Sequence, residues 1–210
     1  MIGESIVANK ALIGAAAFAI MFAVERFRAA SAPLGGWRRL LKNGILWAFL
    51  LVLSPAIVLP LTAFAAEHAL WRRPASWPYL PALIADMILL DFWSYWLHRS
   101  YHQVGAFWRL HRVHHLDNHL DTTSAVRFHP GEVALSVLLR MVPITLLAIP
   151  FANVVVFEAA LLVAAIFHHS NIRLPAGFER PLSRIVVTPS IHWVHHHAIR
   201  RDTNSNYAAI

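Results

Sequence analysis

Five long apolar runs, separated by short polar or proline-bearing stretches, dominate the hydropathy pattern of this 210-residue chain. A helix needs about 20 apolar residues to cross the hydrocarbon core of a bilayer, and residues 6–24, 45–66 and 79–97 are of that order. The runs at 133–149 and 151–167 are shorter and nearly continuous, which predicts a helical hairpin, spanning or re-entrant. Pro55 and Pro60 predict a kink in the second run. The first run lacks the basic start and cleavage site of a signal peptide, so it reads as a retained helix with Lys10 able to snorkel. This pattern predicts an all-α integral membrane bundle with four to five membrane-embedded helices.

Charges inside these runs narrow the picture. Asp86 and Asp91 lie in the third run and Arg140 in the fourth. A central arginine costs about 2.5–3.5 kcal/mol on insertion scales, so either Arg140 bears that cost or its segment does not cross. Composition agrees with a membrane protein: 58% hydrophobic and 14% charged residues, against about 25% charged in soluble domains. The absence of cysteine excludes disulfides, iron–sulfur clusters and thiolate metal sites.

A net charge of +7 would suit nucleic acid in a soluble chain. Here the distribution of basic residues argues for a membrane orientation instead, with no nucleic-acid partner. Segments 25–42, 98–130 and 168–210 hold 14 of the 18 Lys and Arg residues. Alternating spans put all three on one side, the cytoplasmic side by the positive-inside tendency. The stretches at 32–36 and 74–81 read as loops between spans. Residues 1–78 form the N-terminal membrane helices and loops, and residues 79–210 carry the chemistry, within one structural domain.

That chemistry is histidine. Thirteen of the fourteen histidines lie at or after His98, in the clusters HRSYH (98–102), HRVHH (111–115), HHSN (168–171) and HWVHHH (192–197). Neutral imidazole is the commonest metal ligand among side chains. On a helix, residues three or four apart share a face, so His98 with His102, His111 with His114 and His115, and His192 with His195 and His196 can each converge. Adjacent residues diverge by about 100°, so His114 and His115 suit two neighbouring ions rather than one. One of His168 and His169 is expected to bind and the other to pack, and His129 in RFHP is an even choice. Asp91, about two turns before His98, is expected to orient a ligand imidazole. His119 and His197 read as surface residues, and His68 as interfacial with no role in the site.

Other chemistries fit poorly. There is no H-E-x-x-H or G-x-S-x-G motif, no Glu-x-x-His pair and no glycine-rich nucleotide loop. A membrane metal transporter would place its ligands at mid-bilayer in broken helices, whereas these boxes lie at span ends and in loops.

DFWSYWLHRSYH (91–102), WRLHRVHH (108–115), RFHPGE (127–132), HHSNIRLP (168–175), TPSIHWVHHH (188–197) and RDTNSNY (201–207) occur in that order. Together they resemble the fatty acid hydroxylase / sterol desaturase superfamily of membrane oxygenases, from about Asp91 to Tyr207. The resemblance implies a non-haem centre of two iron ions, replaceable by zinc on overexpression, at the cytosolic membrane face. Carried over by position, the ligands are His98, His102, His111, His114, His115, His169, His192, His195 and His196, with His129 a tenth. It favours His169 over His168. It further implies O2-dependent hydroxylation or desaturation of an unactivated C–H of a membrane lipid, with carotenoid ring hydroxylation or non-enzymatic metal binding as alternatives. The electrons would come from an external ferredoxin or cytochrome b5-type donor with its reductase. Family members usually continue past the NY segment, whereas this sequence stops at Ile210, so the resemblance also implies a missing cytosolic tail.

Overall fold

A computed structural model describes residues 2–32, 36–117 and 119–210. Its described residues are helical, joined by short connections. The helices are α1 (Ile2–Phe27), α2 (Gly36–Leu53), α3 (Leu59–Glu67), α4 (Tyr79–Gln103), α5 (Gly105–His115), α6 (Pro130–Leu147), α7 (Phe151–His169), α8 (Ala176–Leu182), α9 (Pro189–His195) and α10 (Arg200–Thr203). Among the described residues, five stretches are long and apolar enough to span a bilayer: Ala8–Phe27, Gly36–Glu67, Tyr79–Gln103, Pro130–Leu147 and Phe151–His169. The protein is an integral membrane protein.

The second span starts earlier than its apolar run suggests. Helix α2 includes Arg38, Arg39 and Lys42, so the expected loop at 25–42 is largely helical, and its residues 33–35 lie outside the described ones. Pro55 falls in a π-helical turn, Ser54–Val58, that joins α2 to α3. Proline cannot donate the usual helical hydrogen bond, and a widened turn absorbs that loss within one continuous span.

Helix α7 is the centre of the bundle, with the most enclosed of the spans. It packs along α1, where Gly14 lies so close to Leu162 that an added Cβ would come within 2.7 Å of Leu162 Cδ2. Small residues permit such close helix approach in membranes. An apolar core of Ala65, Leu90, Ile144, Ile149, Val154 and Phe157 joins α3, α4, α6 and α7. Bulky residues such as Phe49, Ile84, Ile88 and Phe92 face outward, as lipid contact requires.

The hairpin turns at Ala148, a left-handed residue with φ of 49°. From this turn α6 packs against α3 while α7 packs against α1 and α4. A cavity lies between them. Charged side chains of the interior pair across helices and loops: Asp86 holds Arg73 at 2.7 and 2.9 Å and Asn153 at 2.8 Å. Arg140 binds Glu158 on α7 at 2.8 Å, so the charge has a partner. At the opposite end from the histidine clusters, His68 is exposed and stacks on Phe64.

Candidate metal centre

Four elements bring the histidines together. The last two turns of α4 supply His98 and His102; α5 supplies His111, His114 and His115. Val104, in extended conformation, breaks the backbone between those helices and turns α5 back towards α4. The end of α7 supplies His169, while α9 and the residue after it supply His192, His195 and His196.

The structure sorts these nine side chains into two groups, each with its ligand atoms within 4.8 Å of one another. One holds His98, His102, His111, His115 and His195; the other holds His114, His169, His192 and His196. Neighbours in sequence fall in different groups, His114 apart from His115 and His195 apart from His196, because adjacent side chains leave a helix in different directions. The groups adjoin through His115 and His196, whose rings stack at 4.3 Å.

The protonation pattern within the groups points to cations. His98 Nδ1 faces the Tyr207 carbonyl at 3.1 Å, His114 Nδ1 that of Arg127 at 3.2 Å, His169 Nδ1 that of Ala165 at 2.8 Å, and His195 Nδ1 that of Ser205 at 2.7 Å. A carbonyl only accepts, so each of these nitrogens carries the proton and each Nε2 keeps its lone pair. His111 Nδ1 likewise donates to Glu132 Oε1 at 2.7 Å. Yet His98 Nε2 lies 3.2 Å from His111 Nε2 and 3.1 Å from His195 Nε2, and His114 Nε2 lies 3.0 Å from His169 Nε2. Lone pairs so close repel unless a positive ion lies between them. With metal–nitrogen bonds of about 2.0–2.1 Å, ligands at right angles sit about 3 Å apart. The residues fit metal ions.

Burial keeps the rings neutral. It holds His111, His114, His115, His192 and His196 well below the ordinary histidine pKa, with neighbouring imidazoles adding to the effect, and brings His195 down to about 4. Neutral imidazole is the form that binds metal.

A second layer of polar contacts fixes the loops that carry the rings. Arg39 on α2 binds Asp117 at 2.6 Å and Asp121 at 2.7 Å, and Asn43 reaches Asp117 at 3.0 Å. Asp121 caps the buried 3-10 turn Thr122–Val126 in a capping box with Ser124. Glu25 accepts from the backbone of Thr122 at 2.9 Å and of Asn171 at 3.1 Å, tying the α5–α6 loop to the end of α7.

Several sequence expectations are redirected. His129 joins neither group; its Nδ1 caps α6 by accepting from Gly131 N at 2.9 Å. Asp91 does not orient an imidazole but accepts from the Ile210 backbone N–H at 3.2 Å. The orienting carboxylate is Glu132, which sequence reasoning missed although its place in HPGE, on the first turn of α6, is visible. His119 is buried rather than superficial, with Nε2 3.3 Å from Asn171 Nδ2. His197 is exposed and pairs with Asp202. His168 is buried against His192, with ring centroids 4.0 Å apart, outside both groups.

The sequence pattern of the family described as fatty acid hydroxylase matches residues 83–210, more than half of the chain and every residue of both groups. The chain belongs to the fatty acid hydroxylase family. Among its relatives are an ornithine lipid hydroxylase, OlsE, of Rhizobium tropici, 28% identical over 64% of this chain, and the alkylglycerol monooxygenases of Homo sapiens, 29% over 67%, and Danio rerio, 31% over 58%. The matched part covers 40% of the first relative's length, 29% of the second and 26% of the third. No solved structure gives a significant match. In this member of the family, the helix ends and the loops after them carry both histidine groups.

Proposed function

We propose that the protein is a membrane-bound di-iron oxidoreductase that hydroxylates an unactivated C–H of a membrane lipid. The observation that carries this reading is the facing set of imidazole lone pairs, which suits two transition-metal ions, in a chain whose relatives are named hydroxylase and monooxygenase. His98, His102, His111, His115 and His195 would hold one ion, and His114, His169, His192 and His196 the other. Bound iron would supply the reduction of O2 coupled to oxidation of the C–H bond. The balance is R–H + O2 + two electrons + two protons giving R–OH + H2O.

The chain's own residues do the rest. The carbonyl and carboxylate partners of the Nδ1 atoms hold each ring in one tautomer and orientation. A cavity of about 280 Å3 between α4, α6 and α7 meets the centre at His98, His111, His114 and His169, and its walls include Leu97 and Leu161. Such a space takes a segment of lipid chain, holds one carbon beside the centre and excludes bulk water. On the other side, His102, His115 and His196 line an open polar recess with Arg200. In this reading residues 79–210 are the catalytic region, and residues 1–78 support it through Glu25 and Arg39.

We assign the centre to the cytoplasmic face, because the basic segments share its side of the bundle. We propose a ferredoxin or cytochrome b5-type donor with its reductase as the electron source, since residues 1–210 hold neither cysteine nor a nucleotide-binding loop. Arg109, Arg112, Arg200 and Arg201 are exposed and would steer an acidic donor, with rates that fall as salt rises.

Elemental analysis of the purified protein tests the centre, with about two iron atoms per chain expected, or zinc where it has displaced iron. A protein without bound transition metal rejects it. Lipid mass spectrometry of cells with and without the gene tests the reaction. One added oxygen in a lipid, lost in His115→Ala and His196→Ala, is expected. Sustained turnover without any reductant would contradict the proposed reaction.

A further inference from the structure

The cavity beside the histidines has a charged floor. Arg140 on α6 and Glu158 on α7 both line it, joined at 2.8 Å. Lys10 on α1 binds the other oxygen of Glu158. Among the described residues, two cations therefore surround one carboxylate, an excess of one positive charge inside the membrane region. An uncompensated second charge in an apolar surround is costly, and intramembrane charges of this kind are usually functional.

The arginine is also unsaturated. Its Nη1 serves Glu158, while its Nε is buried and has no hydrogen-bond partner among the described residues. The guanidinium edge carrying Nε–H is the edge that grips a carboxylate or phosphate side-on. Arg140 lies ten residues along α6 from Pro130, and Glu158 eleven residues along α7 from His169. At 1.5 Å per residue the charged floor is roughly 15 Å from the histidine end. Between them run Leu161, Leu162 and Ala165 of α7.

We propose that Arg140, supported by Lys10, binds the anionic oxygen group of an acidic amphiphile, whose aliphatic chain lies in the cavity and points to the histidines. The proposal rests on the hydroxylase reading for the fate of that chain, but the binding site stands by itself. The anion is a carboxylate, as in a free fatty acid, or a phosphate, as in a phospholipid. Glu158 competes with it for Arg140. Removing the charge of Arg140 and removing that of Glu158 therefore act in opposite directions on anion binding, which a purely structural ion pair would not do.

The test is equilibrium binding to the purified, metal-loaded full chain in lipid nanodiscs, without reductant. The probes are palmitate, hexadecyl phosphate and the uncharged methyl palmitate. Arg140→Met should weaken at least one acidic probe by about tenfold or more, the weight of a charge-assisted hydrogen bond, with methyl palmitate nearly unchanged. Glu158→Gln should tighten the same probe. Loss of palmitate alone identifies a carboxylate, and loss of hexadecyl phosphate alone a phosphate. If Arg140→Met does not fold, Lys10→Met should weaken the acidic probe selectively. Equal effects on acidic and neutral probes, no effect on either, or weaker binding in Glu158→Gln overturns the proposal. Arg140-dependent binding without lipid hydroxylation would sink only the hydroxylase reading, and hydroxylation without charge-selective binding only this one.

Discussion

Replacing Glu132 should loosen metal binding without removing a ligand. Its Oε1 accepts from His111 Nδ1 at 2.7 Å, and both side chains are about 95% buried, with relative exposures of 5% and 4%. The carboxylate fixes the His111 ring and raises its basicity. Loss of such an orienting partner weakens metal affinity by about 10–100-fold, or about 1.4–2.8 kcal/mol. Glu132→Gln keeps the volume and an acceptor oxygen but not the charge, so it belongs near the lower figure. Glu132→Ala leaves the His111 N–H unpaired in a buried site and belongs near the upper one. Purified variants would be titrated with a chelator of known affinity, and the metal retained per chain counted by mass spectrometry. The midpoint should move to lower chelator concentration in the order Gln then Ala, with Ser136→Ala as a nearby control. A wild-type midpoint in Glu132→Ala would refute the reasoning, since His111 would then hold its ion without an oriented ring.

Topology follows from the shared face of the basic segments. Single cysteines at the exposed positions Gln103 and Ser190 should react with a membrane-impermeant thiol reagent only after the cytoplasmic side is opened; labelling of intact cells at either would reverse the orientation. Arg39→Ala should destabilise the protein by about 3–5 kcal/mol, because it strands two buried carboxylates, measurable as a large drop in thermal midpoint. Burial alone would raise the pKa values of Asp117 and Asp121, but the Arg39 hydrogen bonds and charge outweigh it and hold both below the usual aspartate range. The unfolded chain then binds more protons, so this stability is present above about pH 4 and is lost as pH falls further; Arg39→Ala should flatten that part of the pH–stability curve. Phe157→Ala should cost about 3–5 kcal/mol through a cavity in the core, read from thermal unfolding in detergent, with metal content preserved in the folded fraction.

The spans, the helical class and the presence of a histidine centre are all legible in the sequence, because each depends on local chain properties. Apolar length decides what can lie in a bilayer, and spacing of three and four residues decides which imidazoles share a helix face. The ordered boxes from Asp91 to Tyr207 likewise carry the family without any knowledge of packing. What only the tertiary structure decided is which groups meet across helices. Asp91 and Glu132 are equally visible as acids near a histidine box, yet the direction in which α6 leaves its His129 cap brings Glu132, not Asp91, to His111. His119 reads as a surface residue but is covered where the α5–α6 loop meets the end of α7. Arg140 reads as an expense, but its carboxylate partner Glu158 lies 18 residues away, and Lys10, which shares that carboxylate, lies 148 residues from it. A contact between distant residues depends on how helices cross and where each turn points its side chains, and no local pattern of the chain carries that geometry.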